Sequence, residues 1–467
     1  MLLSISGTTT TASMPLLVPS MTQTRKPTDM APTRRNFLSL AALAAAPVGL
    51  AGCGGFTQQQ DPEPTSSGSQ TAQTLTFTTW GTDNELTALR KTIERFEAAN
   101  SGATVELNAV PYEQMFTNID AQLQSNTAPD IFRVPYYTFG SYAGQGQLLD
   151  LGPLLEDDFQ DRFTPQAWAA VQNEKSPFGV PHHTDTSAIL YNKDMFDAAG
   201  ITSVPTTLEG AWTWEELEQV ALQLRESLPA EKYPMAYNWQ GNGVTRWLSW
   251  LFQADGRFLE EDLVTPAIDS DAGRAAVEFT SSFFTRKLVP QNDSVKSTTY
   301  ASDIWYSETV AMTWAGAFLI PDAASTLEFN WGATYAPRNK RGGSDFGGNA
   351  LVATADTKVP ELAASFLEFV TQEESMRDFC EAASLLPTRQ DLVESGITFT
   401  DRPELSEVFI GQASVVQPSD SGQVASPNMS AIITVLKDQL EQAFVGGQSV
   451  EETIAGLSEG IAQATGG

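Results

Sequence analysis

A mostly parallel, doubly wound α/β fold is predicted for this chain by three observations. Strand-like and helix-like segments alternate from Leu75 to Val134 at βα spacing, the strand-like runs are short and bounded by turn residues, and no short internal repeat is found. About 390 residues lie from Leu75 onward, enough for two lobes of roughly 150 to 200 residues each.

Residues 75–79 alternate as a strand does, and Trp80-Gly81-Thr82-Asp83 is a loop with capping residues ahead of a helix whose apolar face is Leu86, Leu89, Ile93 and Phe96. Residues 105–110 read as a second strand. A helix around Phe116, Ile119 and Leu123 follows, and residues 130–134 form a short strand entered from Ala128-Pro129, with Asp130 ordering its own turn. Ligands of such sheets gather at the carboxyl ends of the strands, which puts Trp80, Tyr112 and Tyr136 at the expected crevice. Thr213-Trp214-Glu215-Glu216 is a capping box opening a helix with Leu217, Val220, Ala221 and Leu224 inward. Further helices are expected over 272–284, 360–370, 430–444 and, from a second box at Ser449-Val450-Glu451-Glu452, to Ile461. Strand-like segments recur at 189–191, 309–313 and 350–354.

Ahead of this fold lies an export pattern. Thr33-Arg34-Arg35-Asn36-Phe37-Leu38 sets a twin-arginine pair before an apolar run, and Leu50-Ala51-Gly52-Cys53 resembles a bacterial lipobox. Residues 37–50 are only 14 long and contain Pro47, short of the roughly 20 needed to cross a bilayer. Residues 1–52 are therefore read as a twin-arginine lipoprotein signal peptide, with Cys53 the lipidated first residue of the mature chain. Met30-Ala31-Pro32-Thr33-Arg34-Arg35 already supplies a compact basic start. Residues 53–73 are read as a disordered tether, because 58–72 is rich in Gln, Pro, Ser, Gly and Thr and holds no aromatic.

Charge narrows the partners. The signal holds 4 of the 27 Lys and Arg and 1 of the 57 Asp and Glu, leaving the mature chain near −33. Such a surface repels phosphate backbones and anionic head groups, so nucleic acid is excluded and membrane attachment falls to the lipid on Cys53. With Cys53 acylated, Cys380 stands alone and is read as a buried small hydrophobe.

Catalytic constellations are missing from the pattern. The two histidines, His182 and His183, are adjacent and no cysteine cluster accompanies them, so no zinc site is read. No Gly-x-Ser-x-Gly pattern stands at a strand-to-helix turn, so no nucleophile elbow is read. Acids are plentiful enough for a glycosidase pair, yet nothing singles one out. The sequence calls for no metal, no cofactor and no enzyme chemistry, an exported glycoside-processing enzyme being the rival reading.

Three groups of fragments carry a resemblance. The first is Ala128-Pro129-Asp130-Ile131-Phe132, then Phe139-Gly140-Ser141-Tyr142-Ala143 and Leu148-Leu149. The second is Gly179-Val180-Pro181 through Asp185, then Leu190-Tyr191-Asn192-Lys193-Asp194-Met195-Phe196, Ala199-Gly200 and Trp212-Thr213-Trp214-Glu215-Glu216-Leu217. The third is Ala311-Met312-Thr313-Trp314-Ala315-Gly316, with Gly347-Gly348-Asn349-Ala350 and Leu386-Pro387-Thr388-Arg389 downstream. In this order and spacing the chain resembles the extracellular solute-binding lipoproteins of ABC importers, in the carbohydrate-binding family that includes maltodextrin-binding proteins.

That resemblance implies a two-lobed, type II periplasmic-binding-protein-like fold whose sheets are joined by crossing hinge segments. Lobe 1 would comprise residues 74–184 and 349–388, and lobe 2 residues 185–348 and 389–467. It further implies a monomer that captures a carbohydrate between the lobes and delivers it to a membrane permease.

Sugars present hydroxyls on their edges and C–H patches on their faces, so the site needs polar groups beside flat rings. Trp80 follows the first strand, Trp239 and Trp247 sit in a Gly/Asn-rich loop, and Trp314 ends a strand. Asp185 matches the position of a sugar-binding carboxylate of the maltodextrin receptors. Asp83, Tyr136, Tyr137, His183, Phe318, Asn349 and Arg389 complete the candidate ligand set. Where those receptors carry an Asp-Arg pair just before Phe139, this chain has Tyr137-Thr138, a departure that favours stacking over charge pairing. Asp185 and Trp314 are expected on opposite sides of one cleft.

Overall fold

The computed structural model describes residues 72–466. The signal, Cys53 and the tether through residue 71 lie outside the described residues.

Two sheets organise the chain. The first joins β1 (Gln73–Thr79), β2 (Ala103–Ala109), β3 (Ile131–Pro135), β6 (Val180–Asp185) and β11 (Gly347–Ala353) in the order β2-β1-β3-β11-β6, while β4 (Gln172–Asn173) and β5 (Ser176–Pro177) pair apart from it. The second joins β7 (Ser187–Asn192), β8 (Tyr233–Ala236), β9 (Val310–Gly316) and β10 (Trp331–Thr334) in the order β10-β7-β9-β8.

The parallel prediction holds for β2-β1-β3 and for β8 beside β9, but β11 runs antiparallel to both β3 and β6, and β7 antiparallel to β9 and β10. A parallel pair needs a crossover of a dozen or more residues. The outgoing passage between the sheets has none: β6 ends at Asp185 and β7 begins at Ser187, with only Thr186 between.

Local signals set the helices. Thr82 caps the helix Asp83–Ala99, with Glu85 closing the box, and the same reciprocal pairing opens Trp214–Ser227 at Thr213 and Val450–Thr465 at Ser449. The first helix buries Leu89, Ile93 and Phe96, leaves Leu86 half-buried, and sets Phe96 edge-on to Phe366 at 5.0 Å. Asp130 orders its turn as expected: its Oδ2 accepts from the backbone and hydroxyl of Thr76 at 2.9 and 2.7 Å, and its Oδ1 from the Thr357 hydroxyl at 2.7 Å. The Cys380 thiol is buried and free, and burial pushes its titration up. Among the described residues no helix is long and apolar enough to cross a membrane.

Three passages lie side by side at the junction. Thr184 faces Gly348 of β11 on one side, and on the other exchanges backbone hydrogen bonds with Leu386 at 2.8 and 3.1 Å. Thr186, on the outgoing passage, shares a hydroxyl hydrogen bond with Ser344 on the returning one. Gly348 has φ of 98°, and a Cβ there would meet the His183 carbonyl oxygen at 2.4 Å, so only glycine lets these passages lie this close.

Candidate functional site

The carboxyl ends of β1, β2 and β3 converge, and the residues just beyond them build the first wall. Trp80 follows β1, Tyr112 opens the helix Tyr112–Gln124 beyond β2, and Tyr137 lies in the helix Tyr136–Gly144 that leaves β3. The Trp80 and Tyr112 rings meet edge to face at 5.3 Å, and the Tyr112 and Tyr137 hydroxyls are 2.7 Å apart. Tyr112 remains 39% exposed.

Beneath this wall is a buried polar network. Arg133 lies under Trp80 with its guanidinium 4.7 Å from the ring, and donates to the Trp80 carbonyl at 2.9 Å, to Glu85 at 2.7 Å and to His183 Nε2 at 2.7 Å. Asn349 donates to the same His183 nitrogen at 2.9 Å. With donors on both sides, Nε2 must carry the lone pair, leaving Nδ1–H toward the Thr184 carbonyl at 3.3 Å. Burial, then the Arg133 charge, holds His183 well below the usual imidazole range, and burial likewise pushes His182 down to about 3. His183 and Asn349 therefore anchor the wall to the hinge strands from behind.

The second wall comes from the carboxyl ends of the parallel pair β8 and β9. After β8 the chain passes Tyr237 and enters a short helix, Gly241–Trp247, that carries Asn242 and Arg246. After β9 it turns through Ala317–Leu319. Arg246 stands between two carboxylates at the hinge, its Nη2 3.8 Å from Asp185 Oδ2 and its Nε 3.7 Å from Asp345 Oδ2. These separations exceed hydrogen-bond length, and the Arg246 Nε–H has no acceptor among the described residues. Asp185 is 5% exposed and accepts the Ala317 N–H at 3.2 Å. A Cβ on Gly316 would lie 2.4 Å from Asp185 Oδ2, so the approach requires glycine.

Electrostatics tie the two walls together. Burial, with Asp345 adding to it, pushes the Asp185 carboxyl up to about 7 against the pull of Arg246. Burial opposes the Arg246 charge, and Asp345 and Asp185 more than offset it. The hydroxyl of Tyr137 is driven up chiefly by burial and then by Tyr112, with Arg246 and Asn242 opposing. Tyr112 is raised by burial and, in smaller part, by Tyr300, a residue 46% exposed just ahead of the helix Ala301–Tyr306.

The expected residues thus divide. Trp80, Tyr137 and Asp185 gather with Tyr112 and Arg246. Tyr136 turns inward, its hydroxyl donating to the His183 carbonyl at 3.0 Å and its ring on Phe346. Asp83 is exposed in the first turn of its helix. Phe318 is half-buried beside Gly316.

Three tryptophans correct the expectation. Trp239 gives its indole N–H to the Asp293 carbonyl and packs on Phe444 at 4.7 Å, and Trp247 gives its own to Thr280 at 3.0 Å. Trp314 is 2% exposed and enclosed by Tyr237 and Trp250 at 5.1 and 5.6 Å, so protein already fills the place expected for a ligand ring. Arg389 is likewise occupied, by Asp391 at 2.6 Å and the Thr371 carbonyl at 3.2 Å.

Arg246, Asn242, Asp345 and Tyr300 escaped the sequence reading. The loop holding Trp239 and Trp247 also carries Asn242 and Arg246; its one arginine, in a strongly acidic chain, was the available signal.

Two α/β sheets joined by adjacent passages, with an aromatic and charged crevice at their junction, define a class of receptors that close two lobes over a small solute. The chain belongs to the bacterial extracellular solute-binding proteins, whose family model matches residues 80–377. It is similar to a maltodextrin-binding protein of Bacillus subtilis, 23% identical over 452 residues that cover 88% of this chain and 99% of that protein. A substrate-binding protein of Listeria monocytogenes, solved in complex with cycloalternan, aligns with a TM-score of 0.71 and 22% identity over 84% of this chain and 99% of that one. The GacH receptor of Streptomyces glaucescens, solved unliganded and with acarbose, aligns at 0.68 and 22% over 84% and 98%.

Proposed function

We propose that this protein is a monomeric cell-surface receptor, exported by the twin-arginine route and held by lipid on Cys53, that captures a neutral carbohydrate unaltered between its lobes and delivers it to an ABC permease. The lobes in this reading are residues 74–184 with 349–388, and 185–348 with 389–467. The observation that carries it is one crevice lined by Trp80, Tyr112 and Tyr137 on one side and by Arg246 and Asn242 on the other. Ring faces take the C–H patches of a sugar, and the unspent Arg246 N–H with the hinge carboxylates takes its hydroxyls. Two carboxylates against one guanidinium disfavour an anionic ligand. Similar proteins that bind maltodextrin, cycloalternan and acarbose support the carbohydrate class.

A thermal-shift panel of mono- and oligosaccharides on the purified protein tests the reading, since a ligand at 100 times its Kd stabilises by about 2.7 kcal/mol. At least one neutral sugar should raise the melting temperature and be recovered unchanged by chromatography. No stabilisation by any sugar overturns the receptor reading, and a sugar consumed in proportion to protein revives the glycoside-processing alternative.

A further inference from the structure

The segment that presents Asn242 and Arg246 is moored to a buried carboxylate. Asp293 is 0% exposed; its Oδ2 accepts the Tyr237 N–H at 2.8 Å and its Oδ1 accepts Gln240 Nε2 at 2.9 Å. Its carbonyl takes the Trp239 indole N–H, and the neighbouring Val295 carbonyl takes the Gly241 N–H at 3.0 Å. Gln240, also buried, accepts the Ala301 N–H at its Oε1 at 3.3 Å, next to Tyr300. One carboxylate and one amide thus hold the segment that carries Asn242 and Arg246 and the turn that carries Tyr300.

The pairing has a fixed sense. Both Asp293 oxygens face donors, so the group must accept at each, and no cation among the described residues assists it: burial drives the carboxyl upward while the Tyr237 N–H and the Gln240 amide pull it back. An acid without a cation, enclosed among N–H groups, is costly to keep unless its geometry serves something.

We propose that Asp293 is the positioning residue of the second wall, aligning Arg246 and Asn242 directly through the Tyr237–Gln240 turn and Tyr300 indirectly through Gln240. Its part in ligand capture rests on the carbohydrate reading above, whereas the ordering of the wall does not.

Asp293→Asn keeps the shape but turns an N–H toward a donor. In the full protein, hydrogen exchange at the Gly241 and Ala301 amides should accelerate at least tenfold while the β1 amides keep the parent's rates, and affinity for maltotriose, used as the probe, should fall at least tenfold. Adding Gln240→Glu reverses donor and acceptor within the pair, at the loss of the 3.1 Å contact from Gln240 Nε2 to the Tyr237 carbonyl. The double variant should recover both properties to within threefold of the parent. Parental exchange in the single variant, or a double variant no better than the single, overturns the proposal. Should the single variant fail to fold, a folded and protected double variant supports the pairing and an unfolded one defeats it. A parent protein that ignores maltotriose counts against the carbohydrate reading for that sugar, and the exchange arm then decides Asp293 alone.

Discussion

Arg246 gathers two carboxylates that reach it from different passages of the hinge, Asp185 from the outgoing strand and Asp345 from the returning segment. Replacing it with Met keeps much of the volume and removes the donors. Hydrogen bonds to a charged group contribute about 1.5 to 3 kcal/mol, so Arg246→Met should weaken carbohydrate binding on the order of 10- to 150-fold, read by calorimetric titration. Asp185 carries a separate consequence in pH. Its carboxyl rises from 3.8 to about 7 on folding, so between those values the folded state binds more protons than the unfolded one. Stability of the ligand-free protein should therefore fall as pH rises from about 4 to 7, by on the order of 2 to 4 kcal/mol from this group. Asp185→Asn should flatten that part of a denaturation-versus-pH curve; an unchanged slope would assign the titration elsewhere.

Among the elements, the turn after β9 is closely packed against the hinge. A Cβ on Gly316 would lie 2.4 Å from both Asp185 Oδ2 and the Phe318 ring, and overpacking of this kind costs roughly 1 to 3 kcal/mol. Gly316→Ala should lower the urea midpoint accordingly with an unchanged m-value, and should displace Asp185 from the Ala317 N–H. What could be read at this scale followed the range of the signal. The boxes at Thr213 and Ser449 were legible because donor and acceptor sit three residues apart. Trp80 and Tyr112 were legible because a strand's carboxyl end is a position along the chain. Trp314 was not, because which face of β9 meets the crevice depends on how Tyr237 and Trp250 pack against it from other segments. The antiparallel place of β11 was hidden for the same reason: nothing within residues 347–353 records the direction of β3 and β6. Arg246 takes its role from Asp185 and Asp345, both far off in sequence.

Across the whole molecule, the export reading makes a prediction independent of the fold. Cys53→Ala should move the protein from the membrane fraction to the soluble exported fraction, read by cell fractionation; retention in the membrane fraction would remove the lipid anchor from the account. The mature chain's net charge near −33 works against electrostatic attachment to an anionic membrane surface.

The hydrogen bond between Thr186 and Ser344 lashes the outgoing and returning passages together, and Thr184 is paired on both flanks. Strands bound side by side resist shear and splay but yield to twisting about their common length. The receptor should then behave as a mechanism with a single degree of freedom. Spin-label pairs placed at different heights across the crevice would report distances that change in constant proportion as ligand is titrated, one coordinate describing every intermediate opening. Cutting the lash with Thr186→Val should let those distances vary independently.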